Sequence, residues 1–222
     1  LYAEFRRTLE SELDFRSEIV NADAMAATLT EGFSIPPFLR DLSSPSVLVQ
    51  TFADGVNPLR VTSEAMRRSV VNRLGQLLMG QILNHGLFHE DLHPGNFRVV
   101  EATGAVQLLD FGRVGHLSAT ERQALVPLLL ALNLKQGEQV VALLDSVKAS
   151  NRSYDRPLLT ERVSAILQGP SAGVNGDTIS RIFFEAGSAG LAIPSGYIQL
   201  LKGLMTFEGT AHLMGGEMPH GF

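Results

Sequence analysis

The segment from His89 to Gly112 constrains this chain more than any other. It opens His89-Glu90-Asp91-Leu92-His93-Pro94-Gly95-Asn96 and closes Leu108-Leu109-Asp110-Phe111-Gly112. The first part is dense in polar groups and contains Pro94-Gly95, so Leu87 to Asn96 reads as a loop. Phe97 to Glu101 and Val106 to Leu109 read as short strands around Thr103-Gly104, which makes the middle a hairpin. Whatever fold forms must present Asp91, Asn96 and Asp110 on the two sides of that hairpin.

The flanking sequence supplies helices. Residues 1–30 read as helix, with Leu9, Leu13, Ile19 and Val20 interleaved with Glu and Arg, and with no proline before Pro36. Gly32 and Pro36-Pro37 end it. Phe38 to Leu42 and Ser46 to Phe52 read as two extended segments around Ser43-Ser44-Pro45. Thr62 or Ser63 caps a long helix bearing Met66, Val70, Leu74, Leu77, Leu78 and Ile82, which Gly86 stops. Ser118-Ala119-Thr120-Glu121 is a capping box. Beyond it the chain reads as helical, broken at Gly169 to Gly176 and at Gly187 to Pro194.

Phosphoryl transfer needs this set of side chains. One carboxylate orients or deprotonates the nucleophile, while a second carboxylate and an amide oxygen hold the magnesium ions that bridge the phosphates. Protein kinases use an Asp, an Asn five positions later, and a D-F-G after a hairpin. Asp91, Asn96 and Asp110 stand in that order and spacing. A plain polar loop, with Asp91 and Asn96 as turn and cap residues, leaves the hairpin and second aspartate unexplained. A sharper rival is H-E-x-x-H, the zinc hydrolase motif, which His89-Glu90-Asp91-Leu92-His93 satisfies literally. That motif requires a helix, and Gly86 before it with Pro94-Gly95 after it leave little room for one. Its longer form also fails, because Asn96 stands where a Gly is needed and Val99 where a third His is needed.

Composition narrows the remaining classes. The net charge of -5 argues against a chain-wide basic surface for nucleic acid. No cysteine is present, so disulfides and thiolate metal sites are excluded, which fits a reducing compartment. The longest apolar stretch, Ala124 to Leu134, is interrupted by Pro127 and Asn133 and falls short of the ~20 residues of a membrane span. There is no apolar signal at Leu1.

These residues resemble the UbiB/AarF-type atypical kinases, which support ubiquinone and other isoprenoid-lipid pathways. The likeness rests on Glu12-Leu13-Asp14-Phe15 with Glu18 and Asn21-Ala22, then Phe88 to Asn96, then Leu108 to Gly115. Tyr197 to Gly209 is similar to the family's closing helix. The resemblance implies a mainly α (α+β) fold: a protein-kinase-like C-lobe over 58–222, with the Glu-bearing helix and last strands of an incomplete N-lobe over 1–57. It implies ATP and Mg2+ as cofactors. Asp91 matches the catalytic aspartate and Glu18 the helix glutamate that pairs with a nucleotide-binding lysine. Asn96 and Asp110 match the metal ligands. Glu12 and Asp14 match an E-x-D element that contacts a lysine-bearing helix over the site, and Gln50, Thr51 and Phe52 match the hinge strand that reads adenine. The resemblance assigns His89 and His93 no role.

Two departures matter. The lysines are Lys135, Lys148 and Lys202, all beyond Gly112, and no G-x-G phosphate loop is present. The expectation is a domain truncated at its N-terminus, inactive by itself, rather than a degenerate one. Only Arg113 to Leu117 separate D-F-G from the next cap, which leaves no activation loop and no A-P-E. That favours ATPase activity or a lipid-linked or small-molecule acceptor over a protein substrate. The alternative is a non-catalytic nucleotide-binding scaffold for a membrane-associated biosynthetic complex. The expected location is the cytoplasm, peripheral to the inner membrane, in a bacterium whose Arg-over-Lys bias fits a GC-rich genome; an organelle interior fits the same features.

Overall fold

Residues 14–150, 152–169 and 175–215 are described by the computed structural model. By packing the chain falls into two units, Leu1–Val114 with Thr206–Pro219, and Gly115–Met205 with His220–Phe222. The expected mainly helical α+β class is the one observed.

The first unit opens with helix α1 (Phe15–Ala26). The long helix expected over 1–30 is shorter where it is described. Asp14 lies outside the helix in extended conformation and caps it by accepting the Arg16 N–H. At the other end Thr28 turns its hydroxyl back onto the Met25 carbonyl at 2.7 Å. Ile19, Ala22 and Met25 repeat every three residues and form the buried face.

The expected hairpin over 38–52 pairs only at isolated points. Phe38 lies opposite Gln50 and Ser44 opposite Val47, and Arg40–Leu42 coil into a 3-10 turn. Leu42 N–H donates to Leu39 O and Ser43 N–H to Arg40 O, so these groups serve the turn and not a continuous ladder. Strand β1 (Phe33–Ser34) instead joins β4 (Ala105–Leu108) in parallel, and β4 pairs antiparallel with β3 (Phe97–Val100). The β3–β4 hairpin matches expectation. Arg73 ties its turn to β1, donating to Gly104 O at 2.8 Å and Gly32 O at 3.1 Å. Gly55 is required where the chain crosses β3. Its φ is +95°, and a Cβ there would lie 2.4 Å from the Val99 carbonyl oxygen.

Ser63, rather than Thr62, caps α2 (Glu64–Gly80). Val70, Val71, Leu74, Leu77 and Leu78 are its buried face. The helix widens into a π turn over Gln81–His85 before Gly86, at φ +66°, ends it. Leu87–His89 then forms a short strand, β2, where loop was expected; its fully buried Phe88 carries it into the core. The division between units falls within β5 (Val114–His116).

The second unit is helical. It holds α3 (Ala119–Asn133), α4 (Gly137–Ser146), α5 (Arg156–Gln168) and α6 (Gly176–Ser188), each packed on the next. The Ser118/Glu121 capping box forms as expected. Leu125, Leu128, Val141, Leu144, Leu159, Val163, Leu167 and Ile182 fill its core. The final helix, α7 (Ser195–Leu213), gives its first part to this unit, where Tyr197 donates to Glu121 O at 2.9 Å. Its last part belongs to the first unit, with Phe207, Ala211 and Met214 buried. No described helix is long and apolar enough to cross a membrane.

Candidate functional site

The candidate site lies in the first unit, on the loop after β2 and the turn after β4. The backbone around Asp91 is tied down at several points. Its N–H donates to His89 Nδ1 at 3.1 Å, and its carbonyl accepts Asn96 Nδ2 at 3.0 Å. The next carbonyl, Leu92 O, accepts the hydroxyl of buried Thr210 on α7 at 2.8 Å. Asn96 N–H donates to His93 O, and Leu109 N–H to Asn96 O, both at 2.9 Å. Asn57 Nδ2 holds Pro94 O at 3.1 Å. No described residue donates to the Asp91 carboxylate. The loop is thus held rigidly by its main chain, leaving the acidic group available for chemistry.

The two expected metal ligands show the same division. Asn96 uses its amide nitrogen on Asp91 O, which leaves Oδ1 as a free oxygen ligand. Asp110 accepts Gly112 N–H through Oδ1 at 2.9 Å and has no described donor at Oδ2. One amide oxygen and one carboxylate are hard donors that suit Mg2+, which takes few protein ligands and fills its shell with phosphate and water. No described group of three or more His, Cys, Asp and Glu forms a self-contained metal cage.

The zinc hydrolase reading fails on geometry. His89 ends a strand and His93 sits in the loop after it, so the two do not share a helix face. His89 is a core residue, 1% exposed, with its ring 5.5 Å from that of Phe111. Burial drives its pKa down to about 4; the Asp110 main chain and the Asp110 and Asp91 carboxylates pull the other way. With Nδ1 accepting from Asp91, the neutral ring carries its proton on Nε2. His93 Nδ1 accepts Gly95 N–H at 2.9 Å and shapes the turn.

Glu18 projects from α1 to the second motif, where its Oε1 accepts Phe111 N–H at 3.2 Å. Burial raises its pKa, the Phe111 N–H opposes that, and the Asp110 charge adds to it. The unit that holds Glu18 contains no lysine, since Lys135, Lys148 and Lys202 all belong to the other. In the expected hinge, Gln50 donates through Nε2 to Pro36 O, and Thr51 donates its N–H and hydroxyl to Pro37 O, each at 2.9 Å. Phe52 is 91% exposed. Asp14 pairs with Arg16 at 2.6 Å besides capping α1, and that hydrogen-bonded pair lowers its pKa. Glu12 lies outside the described residues.

Sequence reasoning missed two polar residues that support the site, Thr210 and Gln81, and gave Asn21 no role. Thr210 holds Leu92. Asn21 donates to Phe111 O at 2.9 Å. Gln81, 1% exposed, donates to Thr28 Oγ1 at 2.9 Å and accepts His89 N–H at 3.4 Å, linking the end of α1 to β2. The available signal was a polar residue on an otherwise apolar helix face, which for Gln81 and Thr210 is a request for a buried partner.

Comparison with known proteins gives the chain relatives. Residues 1–144 match the model of the ABC1 atypical kinase-like domain. Two chloroplastic proteins of Arabidopsis thaliana are similar to the chain. One, Activity of BC1 complex kinase 8, is 27% identical over 148 residues, covering 64% of this chain and 19% of that protein. The other, Activity of BC1 complex kinase 1, is 32% identical over 145 residues, 61% of this chain and 21% of that protein. The matched stretches thus span about a fifth of those relatives' length. Among solved structures, a Mycobacterium tuberculosis protein in complex with erythromycin superposes with a TM-score of 0.54 at 18% identity. That match covers 92% of this chain and 54% of the other, and it supports the kinase-like fold. The family model spans well over half of the chain and includes Glu18, Asp91, Asn96 and Asp110, so this chain belongs to the ABC1 atypical kinase-like family.

Proposed function

We propose that this chain carries the magnesium-binding side of an MgATP site, and that the protein it serves is an atypical kinase or ATPase. One observation carries the reading: hydrogen bonds with Asn96, Thr210, His89 and Asn57 tie down the main chain from Asp91 to Pro94, while no described residue donates to the Asp91 carboxylate, Asn96 Oδ1 or Asp110 Oδ2. Asn96 and Asp110 would hold magnesium, which when bound neutralises charge on the phosphates. Asp91 would orient or deprotonate the acceptor, a water or a hydroxyl. The backbone from Gln50 to Phe52 would meet the adenine, and Glu12 and Asp14 the segment lying over the site. Only Arg113 to Leu117 separate D-F-G from the α3 cap. That short link favours water or a small or lipid-linked acceptor, which fits a role in ubiquinone or other isoprenoid-lipid biosynthesis at a membrane surface.

A second reading has its own observation. Glu18 is engaged with Phe111 N–H. A nucleotide-binding scaffold without turnover fits that arrangement. The test separates the two. Asp110→Asn in the full-length protein keeps the Gly112 contact but removes the anionic metal ligand. Magnesium-dependent ATP turnover is expected to fall at least about 100-fold, as for loss of a main electrostatic contributor. Turnover unchanged by the substitution overturns the first reading, and nucleotide binding with no turnover in the unsubstituted protein establishes the second.

A further inference from the structure

The Phe111 main chain is held from both sides by one helix. Glu18 and Asn21 are three residues apart on α1 and so project from one face. Glu18 Oε1 takes the Phe111 N–H at 3.2 Å, and Asn21 Nδ2 donates to the Phe111 carbonyl at 2.9 Å. An ionised carboxylate only accepts, so it cannot serve the carbonyl; the amide supplies the missing donor. Ninety positions of sequence separate Asn21 from its partner.

The second of these bonds reaches Asp110. The peptide joining Phe111 to Gly112 is planar, so its C=O and N–H turn together. Asn21 holds the carbonyl end of that plane. The other end, Gly112 N–H, donates to Asp110 Oδ1 at 2.9 Å. The chain Asn21 Nδ2–H to Phe111 O, then Gly112 N–H to Asp110 Oδ1, sets the direction in which the Asp110 carboxylate points. Linked amide bonds of this kind also strengthen one another. Phe111 itself is fully buried against His89, so its side chain leaves the plane little freedom. We infer that Asn21 is a positioning residue: it fixes the carboxylate of Asp110 for metal through a single peptide plane, and does so independently of what Glu18 pairs with. The metal part of this inference rests on the MgATP reading above.

The test uses the full-length protein with Asn21→Leu, which keeps the volume and removes the donor. Mn2+ stands in for Mg2+ and is titrated with a non-hydrolysable ATP analogue. Its affinity is expected to weaken about fivefold, the worth of one ordinary hydrogen bond. Analogue binding without metal should stay within twofold of the unsubstituted protein, with the melting temperature lowered by no more than the loss of one hydrogen bond explains; a merely structural defect would weaken metal-free analogue binding as well. In metal-free protein, amide exchange at Gly112 should speed up by a similar factor. Mn2+ affinity unchanged by the substitution overturns the inference. If the unsubstituted protein binds no metal–nucleotide complex, the MgATP reading fails instead, and the clamp is judged on Gly112 exchange, where no change overturns it. If the Leu variant does not fold, Asn21→Ser, too short to reach the carbonyl, is read in the same way.

Discussion

The two packing units are built from similar apolar residues but treat polar ones differently. Of the six buried polar residues described, Thr28, Gln81, His89, Asn96 and Thr210 belong to the first unit, and only Thr178 to the second. In the second unit, the Ser118/Glu121 box and the Asn175 cap close helix ends, while Val140, Val141, Leu144 and Leu159 pack an apolar centre. In the first unit the buried polar groups bond to loop backbone and to each other. An apolar core needs only volume and pattern, and tolerates rearrangement. A hydrogen-bonded one specifies single atoms and is costly to leave half made. The unit that must hold carboxylates in place is the one that uses the second strategy.

That contrast is open to measurement. The largest effect is expected from Leu144→Ala in the second unit, a fully buried side chain. Denaturant titration should show a loss of about 2–5 kcal/mol, with Mn2+ affinity of the folded protein unchanged. A comparable loss of metal affinity would break the division between the units.

A smaller effect should come from His89. Its folded pKa of about 4 lies below the ordinary value of 6.5, so the unfolded chain binds the proton more readily. Metal-free stability should therefore fall as pH drops from 6.5 towards 4, by up to roughly 3 kcal/mol. His89→Asn, whose side-chain oxygen can take the Asp91 N–H, should flatten that slope. If the slope persists in the variant, the buried imidazole is not its source. The smallest effect is expected at Arg162 and Glu185, paired at 2.6 Å between α5 and α6 with the arginine side chain 45% exposed. Arg162→Ala should cost about 0–1 kcal/mol by the same titration, and less in high salt.

Much of this was legible in the sequence because it is local. The Ser63 cap, the Ser118/Glu121 box, the β3–β4 hairpin and the Gly86 stop each depend on residues within a few positions of one another. The readings that failed were local rules applied beyond their reach. Apolar spacing extended a helix through Asp14, which instead caps it, and the extended segment expected over 38–42 coils into a 3-10 turn at Arg40–Leu42. The short strand at Leu87–His89 was hidden by the polar loop that follows it.

The sequence by itself determined the identity and order of the chemical groups: Glu18, Asp91, Asn96 and Asp110, with the hairpin between the last two. Five-residue spacing and a tight turn are local, so they survive any packing. Only the tertiary structure decided which atoms of those groups are occupied. Asn96 gives its nitrogen to Asp91 O and keeps its oxygen; Asp110 gives one oxygen to Gly112; Glu18 and Asn21 take the two ends of the Phe111 main chain. Those assignments hang on partners as far as 118 residues away, as with Thr210 and Leu92. A hydrogen bond needs its donor within about 3 Å and in line, and only the packed chain brings such distant groups that close.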